Sequence, residues 1–211
     1  MPSSQYYQIN EIVELIFRLK PGSILEIGPG FGKYGFLCRE YVELWDGRNA
    51  YGDWRCRIDC IEAYEKYITP AHRFIYNQIY IGNALELVPK LDQHYDLVLM
   101  VDVLEHFTFE EGNKLLEECK SKTDHMLIAS PRFVNMQEGV FENPFERHRS
   151  EWKKKHLKVF GPVFFAPHHS TLICLIGAQA EAIGKEYLRS SRYLFLKKHF
   201  RFLRFLKPLF N

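Results

Sequence analysis

The sequence predicts an α/β fold in which a seven-stranded, mostly parallel sheet carries helices on both faces and ends in an antiparallel hairpin. Three observations predict it. Short apolar strand segments alternate with helical patterns along most of the chain. The first strand runs directly into a glycine-rich turn and a helix. Near the end, two strand segments are joined by a short turn, and the 211 residues suffice for one domain with a sizeable core.

The first predicted strand and the turn after it read I-L-E-I-G-P-G-F-G at 24–32. Glycine has no Cβ, so it tolerates unusual dihedral angles and lets a ligand approach the backbone closely. Residues 33–41 continue with apolar side chains at helical spacing. Strand, glycine turn and helix together are typical of a nucleotide-type cofactor site in an α/β sheet. The candidate cofactor-binding residues in this segment are Glu26, Gly28, Gly30 and Gly32.

The spacing of these glycines bears on which cofactor binds. The dinucleotide pattern G-x-G-x-x-G occurs at 30–35, but in a dinucleotide fold the first glycine of the pattern follows the strand at once. Here that glycine is Gly28, and the G-x-G-x-G that starts from it does not fit. The carboxylate of Glu26 suits a positively charged methionine moiety better than a pyrophosphate. The pattern E-x-G-x-G-x-G resembles motif I of class I S-adenosylmethionine-dependent methyltransferases.

The ends of the following strands resemble the later motifs of that superfamily, in the right order. The second strand ends in Glu62, which can accept both ribose hydroxyls of a nucleoside. The third is followed by G-N-A, where Asn83 replaces the usual aspartate and Ala84 follows; the amide can still bond to the adenine amino group. The fourth strand leads to Asp102, which is expected near the cofactor. A fifth strand, at 125–131, ends at a proline.

The resemblance covers roughly residues 24–131. It implies a Rossmann-like sheet, S-adenosyl-L-methionine as cofactor, and methyl transfer to an oxygen or nitrogen of a small molecule or glycan. Such a transfer is an in-line displacement that depends on positioning and on removal of a proton from the acceptor. Two alternatives stay open. One is a non-catalytic subunit that binds the cofactor, and the other is a nucleic-acid methyltransferase, whose RNA or DNA binding would depend on salt.

Two histidines are candidate catalytic bases, because imidazole titrates near neutrality. His106 follows the fourth strand. His148 lies between two arginines in a polar, aromatic segment at 133–152, beyond the fifth strand, where folds of this kind bind their substrates. Part of that segment, 143–152, resembles a stretch in bacterial methyltransferases of uncharacterised or glycan-associated type. The ordinary alternative for His148 is the solvated start of a helix.

The string D-x-x-E-H at 102–106 raises the possibility of a metal site. It resembles the E-x-x-E-H motif of ubiquinone-pathway O-methyltransferases and small-RNA 2′-O-methyltransferases, where carboxylates and an imidazole hold a divalent ion. Carboxylate ligands suit Mg²⁺ or Mn²⁺. Asp102 is shorter than the usual glutamate, so a divalent metal is kept here as an alternative without assigned ligands. In the ordinary interpretation Glu105 begins a helix and His106 lines the acceptor pocket.

Segments 157–165 and 170–176 are predicted to form the antiparallel hairpin at the end of the sheet. The N-terminal residues show no secretory signal, and no apolar run reaches the length of a membrane span, which predicts a cytoplasmic protein. The five cysteines are an odd number without zinc spacing, which indicates free thiols.

Charge is distributed unevenly along the chain. Residues 185–211 contain eight Lys or Arg and one Glu, a net charge of +7, whereas residues 1–184 carry a net charge of −5. At 194–206 a helical projection separates apolar from basic side chains, which is typical of an interfacial membrane anchor. We therefore predict a methyltransferase domain at 1–184 and a basic amphipathic helix at 185–211 that associates with anionic membranes. The alternatives are packing on the protein or on a second subunit and, less favoured by the clean separation of faces, nucleic-acid binding.

Overall fold

The computed structural model describes residues 4–44, 53–133 and 142–199, and for 192–199 it describes the backbone path alone. The strands are β1 Ser23–Ile27, β2 Arg57–Glu62, β3 Gln78–Ile81, β4 Tyr95–Val101, β5 Thr123–Pro131, β6 Val163–Ala166 and β7 Thr171–Gly177. The α-helices are α1 Ile9–Leu19, α2 Lys33–Cys38, α3 Pro70–Ile75, α4 Ala84–Leu87, α5 Phe109–Lys122, α6 Lys154–Leu157 and α7 Ala180–His199.

All seven strands belong to one sheet with the order β3-β2-β1-β4-β5-β7-β6. The pairs among β1 to β5 are parallel, whereas β7 runs antiparallel to both β5 and β6. This confirms the predicted fold class, a Rossmann-like sheet with an antiparallel hairpin at one side. We call the edge at which β1 to β5 end the carboxyl edge and the edge at which they begin the amino edge.

The sheet separates two apolar layers. Along β4, Leu97 and Leu99 face a layer built with α1, α2, α3 and α7, while Val98 and Met100 face a layer built with α4, α5 and α6. Because parallel strands are covered on both faces, they read as nearly continuous apolar runs, and this is the pattern that the sequence shows. The order also places β1 between β2 and β4. The connections therefore diverge beside β1, which leaves a crevice at the carboxyl edge where folds of this kind bind ligands.

The sixth predicted strand starts too early. Residues 154–160 form α6 and a following 3₁₀ turn, and β6 begins only at Val163. The buried side chains of this stretch, Leu157 and Phe160, are three residues apart, which is helical spacing. Gly161 has a φ of +144°, and its backbone ends the helical turn before the strand.

Helix α7 begins at Ala180, so position 185 lies inside a continuous helix. Its first half packs on the domain, with Ile183 and Tyr187 buried. The Ser190 hydroxyl donates to Glu14 Oε1 on α1 at 2.7 Å. The side chains of the predicted amphipathic segment at 194–206 lie outside the described residues. No helix in the described part of the chain combines the length and the apolar character that a membrane crossing requires.

All five cysteines are buried with free thiols: Cys38, Cys56, Cys60, Cys119 and Cys174. Burial raises the pKa of every one of these thiols, to about 12 for Cys56 and Cys119. They are therefore protonated and unreactive in the folded protein.

Candidate active site

A cleft opens at the carboxyl edge, where β1 and β4 lie side by side. It encloses about 1100 Å³, which includes space open to solvent. Among the residues that sequence analysis singled out, those that line it are Glu26, Gly28, Gly30, Glu62, Asn83, Ala84, Asp102 and His106.

The glycine turn after β1 needs glycine at three positions. Gly28, Gly30 and Gly32 have φ values of +67°, +55° and +82°, a left-handed region that other residues rarely adopt. At Gly28 a Cβ would come within 2.8 Å of the Val103 side chain. Gly32 is the exception among the predicted cofactor residues, because it does not line the cleft. It precedes α2, and its carbonyl accepts the Phe36 amide, so it shapes the turn.

Glu26 lies at the base of the cleft with 3% of its surface exposed. Tyr76 donates its hydroxyl to Glu26 Oε2 at 2.7 Å. Burial raises the pKa of Glu26 to about 7, although the hydrogen bonds from Tyr76 and from the Gly35 backbone oppose the shift. The carboxyl group therefore changes charge near neutral pH, and a cation bound beside it would favour the ionised form.

Glu62 at the end of β2 is a second buried carboxyl group on this cleft. Its Oε1 accepts the Tyr64 amide at 2.8 Å. Burial raises its pKa to about 7, opposed by hydrogen bonds from the backbones of Tyr64, Gly30 and Ala63. The bond from Gly30 ties the end of β2 to the glycine turn, so both walls of the cleft are held in one arrangement.

Asn83 caps α4 on the β3 side of the cleft. Its Oδ1 accepts the Leu85 amide at 3.0 Å. The predicted bond to an adenine amino group would need the same oxygen, which has a second lone pair for it. Ala84, the first residue of α4, lines the cleft beside it.

Asp102 follows β4 with a φ of +54°, which is uncommon for a residue other than glycine. Gln8 donates its amide to Asp102 Oδ2 at 2.8 Å, and the Lys33 ammonium donates to Ser4 Oγ at 2.9 Å. Burial raises the pKa of Asp102 to about 6, opposed by Gln8 and Lys33. The N-terminal segment therefore forms one wall of the cleft. Local sequence patterns do not predict this wall, because Gln8 and Asp102 are 94 residues apart.

His106 lies on the turn after β4, on the side of the cleft opposite β2. Its Nδ1 is 3.2 Å from the Arg147 carbonyl oxygen. Because a carbonyl can only accept, Nδ1 carries the proton and Nε2 is the basic nitrogen. Burial lowers the pKa of His106, so its imidazole is neutral near pH 7. The His148 ring does not line the cleft directly but lies 5.1 Å from the His106 ring, centroid to centroid.

Glu105 lies beneath these histidines with 1% of its surface exposed. Ser130 donates to its Oε2 at 3.1 Å, while its buried Oε1 has no hydrogen-bond partner among the described residues. One atom each of Glu105, His106 and His148 lies within 4.8 Å of the others, a set that could hold a metal ion. Asp102 is not part of this set. The motif at 102–106 therefore contributes two members, and His148 is the third.

The segment that carries His148 is fixed by Trp152, which is 1% exposed. The Trp152 indole donates to the Leu104 carbonyl at 3.2 Å, and the Glu105 carbonyl accepts the Arg149 amide at 2.7 Å. The same segment contributes Glu146 to the cleft, where Tyr67 donates to its Oε1 at 3.2 Å. Of the segment predicted to hold substrate, 142–152 thus borders the cleft, whereas 134–141 lies outside the described residues.

Comparison with known proteins identifies similar folds. No protein-family model matches the sequence, and no curated protein matches it significantly. The N-terminal domain of EvdMO1 with S-adenosylhomocysteine (SAH) bound matches with a TM-score of 0.61 and 13% identity, over 83% of this chain and 82% of that chain. A structure of the same domain in the presence of SAH and D-fucose matches with a TM-score of 0.57 and 14% identity, over 83% and 84% of the two chains.

Two further structures extend the comparison. Magnesium protoporphyrin IX methyltransferase from Synechocystis PCC 6803 with bound SAH matches with a TM-score of 0.53 and 13% identity, over 82% of this chain and 83% of that chain. An O-methyltransferase family protein from Burkholderia thailandensis matches with a TM-score of 0.57 and 13% identity, over 82% of this chain and 56% of that chain. At these identities the similarity establishes that the chain has the class I methyltransferase fold.

Proposed function

We propose that this chain is an S-adenosylmethionine-dependent methyltransferase that acts on an oxygen of a small molecule or glycan. One observation carries the proposal. The glycine turn, the buried carboxyl groups of Glu26 and Glu62, and the imidazole of His106 meet in a single cleft at the carboxyl edge. The fold, shared with structures that contain SAH, supports it.

The residues present fit this cofactor. Left-handed glycines let a ligand approach the turn without a Cβ in the way. Glu62 can accept ribose hydroxyls, Asn83 and Ala84 line the cleft and are our candidates for binding the adenine, and Glu26 offers a carboxylate to the methionine ammonium. When bound, S-adenosylmethionine supplies a methyl group that its sulfonium already activates. The protein then has to hold the acceptor in line and take its proton.

His106 is the residue placed to take that proton. It borders the cleft, it is neutral near pH 7, and the Arg147 carbonyl holds its ring with Nε2 as the basic nitrogen. An imidazole in this state can accept a proton from a hydroxyl within hydrogen-bond distance. His148, whose ring lies beside that of His106 at an interplanar angle of 47°, stays the second candidate base.

Two of the similar structures favour an acceptor class. The structure of the EvdMO1 domain in the presence of SAH and D-fucose favours a sugar-like acceptor by analogy of fold. Transfer to oxygen is favoured by the same kind of analogy, through the O-methyltransferase family protein.

Glu105, His106 and His148 provide a second possibility for the same site. A buried carboxylate oxygen without a partner beside two imidazoles would suit a divalent ion such as Mn²⁺. Such an ion would act as a Lewis acid that polarises the acceptor oxygen. In that case His106 is a ligand and another group takes the proton.

Isothermal titration calorimetry tests the cofactor proposal. We expect S-adenosylmethionine and SAH to bind with dissociation constants on the order of micromolar, about −8 kcal/mol, and NAD not to bind. Tight NAD binding without binding of S-adenosylmethionine would reject the proposal.

Cofactor binding should strengthen as pH rises. In the free protein Glu26 and Glu62 have pKa values of about 7, above those of an unfolded chain. Their protonated forms stabilise the folded free protein, and that contribution is lost as pH rises through about 7. The cofactor's ammonium and hydroxyl groups favour the ionised forms. The increase in Tm on adding SAH should therefore be larger at pH 8 than at pH 6.

Tyr76→Phe provides the matched variant for this prediction. It removes the hydroxyl that favours ionised Glu26, so the pH at which SAH binding strengthens should move upward while the fold is kept. Tyr95→Phe, at the amino edge, is the control. A Tm increase that does not depend on pH in any of these proteins would contradict the assignment of Glu26.

We also propose that the basic C-terminal segment binds anionic membranes. Its charge and its predicted amphipathic pattern support this, with about 1 kcal/mol of attraction per basic side chain near an anionic surface. Liposome sedimentation compares the full chain with a truncation after Ser191, which keeps the packed half of α7. We expect the full chain alone to sediment with anionic vesicles at low salt. If both proteins stay in the supernatant, the segment is not a membrane anchor.

A further inference from the structure

Three strongly exposed aromatic side chains belong to chain connections at the carboxyl edge. Among the described residues, the three most exposed large apolar side chains are Tyr6 and Phe133, both 79% exposed, and Phe31, 72% exposed. Phe31 belongs to the glycine turn after β1, and Phe133 follows the end of β5 by two residues. Tyr6 lies between Ser4, which lines the cleft, and Gln8, which bonds to Asp102. We call Tyr6, Phe31 and Phe133 the rim.

The rim is a feature of one edge of the molecule. All three residues lie in segments that connect to strands or helices at the carboxyl edge. A methyl acceptor would have to enter the cleft from this edge. Single exposed apolar side chains are ordinary on protein surfaces, so the rim is informative because its three members share this edge. Aromatic side chains in particular prefer the boundary between water and a bilayer.

The backbone of helix α7 points to the same edge. It runs antiparallel to α1, because it follows β7, which is antiparallel to β5 and therefore ends at the amino edge. Further along α7, Ser190 contacts both Glu14 and Arg18 of α1. Helix α1 starts beside Gln8 at the carboxyl edge and ends just before β1 at the amino edge. The backbone of α7 therefore continues from Ser190 toward the carboxyl edge, over about 14 Å to His199.

A basic part of the sequence begins in the half of α7 that points toward the carboxyl edge. Residues 192–211 include six Lys or Arg and no Asp or Glu. The first eight of them, 192–199, are the last residues of α7. A basic segment alone is attracted to many polyanions, but a basic segment beside exposed aromatic residues matches an anionic bilayer, which offers both charge and an apolar interior.

We propose that the carboxyl edge docks on an anionic bilayer, with the rim inserted at the interface and the mouth of the cleft facing the lipid. This goes beyond electrostatic anchoring by the tail, because it assigns the orientation of the catalytic cleft. It uses the proposed function only to explain why the mouth is the part that faces the membrane. The docking itself stands independently of the reaction.

Co-sedimentation with vesicles of phosphatidylcholine and phosphatidylglycerol in equal parts tests the proposal on the full chain. At about 1 M NaCl, charges are screened beyond about 3 Å, so the binding that remains reports apolar insertion. We expect the double variant Tyr6→Ser/Phe133→Ser to bind these vesicles at least about tenfold more weakly than the wild type at this salt concentration. Phe17→Ser is the matched control, since Phe17 is 45% exposed on α1 toward the amino edge.

The outcomes separate this inference from the others. Loss in the rim variant with retention in Phe17→Ser supports the orientation. No salt-resistant binding by the wild type, equal losses in both variants, or an unchanged rim variant would overturn it. Titration of SAH into the same preparations tests the cofactor cleft separately, because neither Tyr6 nor Phe133 lines it. Normal SAH binding without docking would refute the inference and leave the proposed function intact.

Discussion

Replacing Gly30 by valine should weaken binding of S-adenosylmethionine and SAH by at least about a hundredfold, or about 2.7 kcal/mol. Gly30 has a φ of +55° and lines the cleft. A β-branched residue is strained in this left-handed region, and its side chain would occupy space that the cofactor needs. Calorimetry with the purified variant measures the change.

The control for this variant is Gly161→Val. Gly161 also has a positive φ, +144°, but it lies between α6 and β6, away from the cleft. It should lower Tm through backbone strain while SAH affinity in the folded protein stays unchanged. If Gly30→Val binds SAH like the wild type, the glycine turn is not the cofactor cradle.

His106→Ala should lower turnover by roughly a hundredfold or more, while affinity for SAH barely changes. The imidazole is neutral, borders the cleft, and is held by the Arg147 carbonyl, which are the properties of a general base. Turnover is measured with labelled S-adenosylmethionine and an acceptor that the wild type methylates. His94→Ala, an exposed histidine paired with Asp124, is the control and should keep full activity.

Chelation distinguishes the base from a metal ligand. If His106 acts as a base alone, EDTA leaves the wild-type rate unchanged. If Glu105, His106 and His148 hold an ion, EDTA abolishes the rate, Mn²⁺ restores it, and Glu105→Gln lowers Mn²⁺ affinity in a binding titration. An unchanged rate in His106→Ala would instead assign proton removal to His148 or to no side chain.

The local patterns of the sequence predict most of the fold and many of the residues that line the cleft at the carboxyl edge. Gly28 and Gly30 lie in the turn that follows β1, and Glu62 is the last residue of β2, so their position at the carboxyl edge follows from the parallel arrangement. The hairpin prediction was wrong at 157–160, because the spacing of Leu157 and Phe160 suits a helical turn as well as a strand. Short apolar runs do not distinguish the two until flanking residues such as Gly161 are considered.

Contacts between distant segments could not be predicted in this way. Gln8 reaches Asp102 across 94 residues, and Tyr76 reaches Glu26 across 50. Neither contact corresponds to a periodic pattern that can be recognised in a single sequence. The position of His148 beside His106 likewise depends on Trp152, which packs against Phe109 and fixes the whole segment. Such arrangements arise from tertiary packing, which propensity and spacing do not encode.

The five buried thiols can be used to measure local opening of the folded protein. A thiol reagent requires an accessible thiolate, and none of these cysteines offers one while the core is closed. The labelling rate at each site therefore measures how often that part of the molecule opens. Cys38 lies on the helix after the glycine turn and Cys119 on the opposite face of the sheet, so the two sites report on separate layers. A ligand that occupies the cleft would slow labelling by the factor with which it stabilises the closed state, without any need to know the reaction.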